Sequence, residues 1–219
     1  MKQFTAALSP RAEIAIVLAC ALGIPLAYTV LLAAGVVEHE IITDARLLRV
    51  LAFEIVVLGV LGALLWSRGG TLPQLGLNTP VFQDVIDGAG LLVVAYVIPA
   101  GILGLLPLEM KQAATNALSF APLSLPIVLA TSLVNPLFEE VFVVGYVFAI
   151  LGPSNRVLAI NLSVALRLAS HLSQGPAAVI FILPMAVVFA WWYSTRPSLW
   201  PLLSAHVALE FLGLAPHTG

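Results

Sequence analysis

Apolar stretches of about twenty residues, the length needed to cross roughly 30 Å of hydrocarbon, recur along this chain at 14–37, 47–66, 85–106, 125–151, 157–172, 177–193 and 199–214. A chain of 219 residues with 9% charged side chains has too little polar surface to cover seven such stretches in water. Its mean hydropathy of +1.07 points the same way. The expected fold is therefore all-α, a polytopic membrane bundle of about seven transmembrane helices. It is read as one membrane-embedded domain over 1–219, with N-terminal spans in 1–120 and the chemistry-bearing helices in 121–214. The fourth stretch is longer than one span, and Pro126 and Pro136 are the expected break points within it. The connection 67–84 carries Arg68, the pair Gly69–Gly70, two prolines and Asn78, and reads as a loop or interfacial segment.

Charge and cysteine content exclude several classes. The net charge of −2 leaves no basic surface for nucleic acid. Cys20 is the chain's single cysteine, so no intrachain disulfide exists, and it reads as a small packing residue of the first span. That span is longer than the about 7 to 15 residues of a signal-peptide core and lacks a clear cleavage site, so it reads as a retained helix. With the N-terminus inside, Lys2, Arg11, Arg68, Arg156 and Arg196 fall on the cytoplasmic side and Arg46, Arg49 and Lys111 outside. Five against three favours that orientation. It places His171 and Glu210 toward the outer leaflet.

The charges inside the apolar stretches are few and concentrated. Glu139 and Glu140 sit side by side in the fourth, Arg167 and His171 in the fifth, His206 and Glu210 in the seventh. A carboxylate near the bilayer centre costs about 2.5 to 3.5 kcal/mol on insertion scales, so such residues are kept where they pair, bind or react. Consecutive helical residues diverge by about 100°, so Glu139 and Glu140 face different neighbours and have different tasks. Arg167 and His171 are four apart and share a face, as are His206 and Glu210. Converging at one depth, these groups supply a general base, a proton relay and oxyanion donors for hydrolysis. The plain alternatives are packing roles through interhelical hydrogen bonds. Glu54, alone in the second stretch, reads as a hydrogen-bonded packing or snorkelling residue. Trp191, Trp192, Tyr193 and Trp200 read as an interfacial belt, and Asn135–Pro136 as a helix entry.

The string EEVFVVGYVF from Glu139 to Phe148, with His171 and His206 following on the next motif-bearing stretches, resembles the CAAX protease and bacteriocin-processing family of glutamic-type intramembrane proteases. Its three motifs are E-E-x-x-x-R, F-x-x-x-H and H-x-x-x-N, and the resemblance runs from Asn135 to Leu214. Three positions depart from it: Val144 stands for the arginine, Arg167 for the phenylalanine and Glu210 for the asparagine. The resemblance implies that Glu139 activates water with the help of His171, that His206 and residue 210 stabilise the oxyanion, and that Glu140 is structural. Loss of arginine at 144 and its gain at 167 read as one relocation of charge, with Arg167 holding Glu140 or Glu210.

The expected function is an intramembrane endopeptidase that acts on a membrane-associated peptide or protein in a lipid bilayer, implied to be a prokaryotic cell membrane. No cofactor is expected. Zinc held by Glu139, His171, His206 and Glu210 is the minority reading. Two rival functions are an inactive relative serving as an immunity, scaffold or partner-binding protein, favoured by Val144 and Glu210, and a proton-coupled carrier. The small size and the lack of paired broken helices oppose the carrier.

Overall fold

The computed structural model describes residues 10–38, 40–109, 119–171, 174 and 176–219. Lys2, Lys111 and Leu172 of the readings above lie outside them. Seven helices follow one another: α1 Pro10–Ala33, α2 Asp44–Ser67, α3 Phe82–Leu105, α4 Leu125–Leu151, α5 Arg156–Ser170, α6 Pro176–Thr195 and α7 Trp200–Leu214. No strand occurs among the described residues, and the fold is a polytopic helical bundle. Among the described residues, α1 to α4 are long and apolar enough to cross a membrane, and the apolar part of α6 at 179–195 is shorter. At 15 residues each, α5 and α7 rise roughly 22 Å. These two short helices carry Arg167, His206 and Glu210, and His171 caps the first of them.

Helix α4 is the middle of the bundle, packed against α2 on one side and α7 on another; α7 in turn packs on α3, α6 lies against α3 and α5, and α1 meets α5. Local chemistry fixes the starts of α2 and α4 together. The Thr43 hydroxyl caps α2 by accepting from the Arg46 N–H at 3.3 Å, and Asp44 in the first turn accepts from the Ser124 N–H at 3.0 Å. At the other end of the bundle, Trp200 Nε1–H donates to the Asn78 carbonyl at 2.5 Å.

The prolines do not divide α4. Pro126 lies in its first turn, where its missing N–H costs nothing, and Pro136 is buried in its interior. Asn135 is accordingly a mid-helix residue rather than a helix entry. The irregularity comes one turn later, where Glu140–Tyr146 form a π-helical segment, all of it buried. Such widened turns insert a residue into the helical ladder and disturb its hydrogen bonding. Helix α5 answers that disturbance: the Ser163 hydroxyl donates to the Val143 carbonyl. Ala159, Ser163 and Arg167, spaced four apart, are the buried edge of α5.

Lipid tails are as apolar as leucine, so close packing and polar contacts, not hydrophobicity, hold such helices together. Gly145 shows how close the packing is. A Cβ built there would stand 2.6 Å from the Leu75 carbonyl oxygen, on the short turn Leu72–Leu75, and 3.2 Å from Leu199 Cδ1. Gly145→Ala is expected to cost about 1 to 3 kcal/mol by overpacking against backbone, read as a lower unfolding midpoint in detergent. Two minor expectations are corrected here. Cys20 is exposed on the outer surface of α1, not packed. Tyr193 is 3% exposed, its ring 5.1 Å from Phe148, because its face of α6 turns inward; Trp191 remains exposed.

Candidate active site

The two glutamates do part company. The side chain of Glu140 is 0% exposed and its Oε1 lies 2.8 Å from Arg167 Nη2 and 2.7 Å from His206 Nδ1. Arg167, 1% exposed, does not snorkel; it sits under Glu140 with its guanidinium carbon 5.7 Å from the Phe189 ring centre. Three helices thus meet in one sealed polar tie, α4 through Glu140, α5 through Arg167 and α7 through His206. Val144 lies in the packed core beside it, 1% exposed.

Glu139 turns toward the end of α5 instead. Its Oε1 stands 3.5 Å from Nε2 of His171, which caps the helix's C-terminus. Their side chains are 13% and 19% exposed, so this pair touches the accessible side of the site while the tie does not. At 3.5 Å the contact is a close approach rather than a tight hydrogen bond.

A cleft of about 640 Å³ opens beside His171, lined at its polar end by His171, Gln174, His206 and Glu210 and elsewhere by apolar residues of α3, α6 and α7 such as Pro99, Met185 and Leu209. His206 is shared between two environments: Nδ1 faces Glu140 in the buried tie, and the ring borders the cleft. Glu210, four residues on, borders the same cleft. Glu54 is 4% exposed and its Oε1 accepts from Asn135 Nδ2 at 3.1 Å, a packing bond rather than a snorkelling one.

Sequence spacing could not assign which histidine meets which glutamate. The structure brings His171 to Glu139, and His206 to Glu140. Gln174 was not singled out from sequence; its only signal is its position three residues beyond His171. Among the described residues no three of His, Cys, Asp and Glu form a group able to hold a metal. The four residues of the minority zinc reading therefore do not make up a ligand set.

Glu139, Glu140, Arg167, His171, His206 and Glu210 all fall within residues 121–212, which match the family model described as type II CAAX prenyl endopeptidase Rce1-like. That segment is Rce1-like. No curated protein and no solved structure shows significant similarity to the chain. The Rce1-like model starts just ahead of α4 and ends within α7, which agrees with the extent of the motif resemblance. The family is one of proteases, and the four long apolar helices agree with its membrane setting; residues 121–212 are similar to it.

Proposed function

We propose that the chain is an intramembrane endopeptidase in which Glu139 activates water against a peptide bond of a membrane-associated substrate. The observation that carries this reading is the division of labour between the paired acids. Glu140 is spent on a buried cation and a buried ring, whereas the ion-pair partner of Glu139 among the described residues is the partly exposed His171. A base must be within reach of water, and a carboxylate locked by a guanidinium is not.

In this scheme Glu139 takes a proton from water as the hydroxyl oxygen attacks the carbonyl carbon. His171 orients Glu139 and shares the proton, which passes to the leaving amine as the C–N bond breaks. His206 faces the developing oxyanion. Since its Nδ1–H is donated to Glu140, its Nε2 can donate to an oxyanion only when the ring carries both protons, a form that Glu140 stabilises across 2.7 Å. Glu210 replaces a neutral amide donor, and it assists the same oxyanion only as the protonated acid. The apolar length of the cleft suits a substrate that arrives through the bilayer, whether a peptide or the membrane-anchored end of a protein. We also place the protein in a prokaryotic cell membrane and treat 1–219 as one domain.

The test is cleavage itself. Purified protein reconstituted in lipid is incubated with detergent-solubilised membrane proteins, and new peptide termini are counted by mass spectrometry against Glu139→Ala. Termini that appear with wild type alone support the reading. Equal yields from the two, or none from either, end it in favour of an inactive, partner-binding relative.

A further inference from the structure

Glu54 is a buried acid that the hydrolytic scheme leaves unused. It lies midway along α2, 4% exposed, bonded through Oε1 to Asn135, while its Oε2 has no hydrogen-bond partner among the described residues. A carboxyl group in a bundle interior is kept where it binds, reacts or orders something. Spacing indicates what it orders. Asn135 is one turn before Glu139 on the same face of α4, and the rings of Phe53 and Phe138, the immediate neighbours of Glu54 and Glu139, lie 6.2 Å apart. Helix α2 therefore holds α4 at one level by a polar bond and an aromatic contact together.

That hold comes where α4 most needs one. Pro136 removes a backbone donor just before Glu139, and the π-helical segment begins just after it. Both weaken the ladder that normally fixes a residue's direction around a helix. We propose that the Glu54–Asn135 pair is a positioning clamp which sets the rotation of α4 one turn upstream and so aims the Glu139 carboxyl at His171 and the cleft. Asn135 is the link and Glu54 the anchor; neither touches substrate.

The clamp rests on Glu139 being the base, and its test separates the two ideas by carrying a readout that needs no turnover. Glu54→Gln keeps a carbonyl acceptor for Asn135, Glu54→Asp withdraws the acceptor by one methylene, and Asn135→Leu removes the donor. Each is purified and compared with wild type for kcat and KM in peptide cleavage, and for the rate at which dicyclohexylcarbodiimide modifies Glu139, mapped by mass spectrometry. Glu54→Gln should stay close to wild type in both. Glu54→Asp and Asn135→Leu should lower kcat by at least about tenfold with KM little changed, as displacement of a catalytic group does, and should shift the labelling rate of Glu139. The double variant should be no worse than the poorer single, because both break one bond. Unchanged kcat and labelling in Glu54→Asp overturn the clamp. So does a loss in Glu54→Gln as large as in Glu54→Asp, since the carboxyl rather than its bond would then matter. If Asn135→Leu does not fold, the Gln and Asp variants still decide. If wild type cleaves nothing, the hydrolytic reading fails and the labelling rates alone judge the clamp.

Discussion

Glu139→Gln is expected to lower peptide cleavage by at least about 10² to 10⁴, the range that general base catalysis contributes, with insertion and unfolding midpoint unchanged. Glutamine preserves volume and can still lie against His171, 3.5 Å from the native oxygen, but its amide cannot take a proton from water. Glu140→Gln should behave in the opposite way. There the lost group is the partner of Arg167 and of His206, so the damage falls first on stability and expression. Single-turnover cleavage followed by mass spectrometry, alongside thermal unfolding of the same samples, separates the two. Glu139→Gln with wild-type turnover refutes the assignment of the base, whatever Glu140→Gln does.

The second large effect concerns Arg167. Removing one member of a buried ion pair leaves the other charged and unpaired, which typically costs about 3 to 5 kcal/mol. Arg167→Met and Glu140→Gln should each destabilise on that scale, and the double variant by clearly less than their sum, because no lone charge is left. The chain offers a built-in second arm. Val144 stands where the family pattern has its arginine, so Val144→Arg in the Arg167→Phe background should recover part of the lost stability, limited by crowding of a 1% exposed core position. Additive losses in the first cycle, with no recovery in the second, would show that the guanidinium and Glu140 are neighbours without being coupled.

The location of the site was legible because charge is so rare in apolar segments that each instance asks for a reason. Glu139, Glu140, Arg167, His171, His206 and Glu210 were found that way. The relocated cation was legible too, since an arginine missing at 144 and present at 167 can serve the same carboxylate if two helices pack; they stand 2.8 Å apart. Other features left no trace. The π-helical turn of Glu140–Tyr146 uses the same residues as a regular helix, and its extra residue shows only in the backbone. The stretches 157–172 and 199–214 coincide to within two residues with α5 and α7, which at 15 residues each are shorter than the four long apolar helices. Asn135 was read from its neighbour Pro136 rather than from its four-residue offset to Glu139, which was the better signal.

The tie between Glu140, Arg167 and His206 also has a meaning in time. Its members leave the ribosome in the order α4, α5, α7, so the acid is made first and its ring partner last. Until α7 has joined the bundle, Glu140 has Arg167 but not His206, and the cleft lacks a wall. The three-helix tie is therefore completed in one step, when α7 joins the two helices made before it.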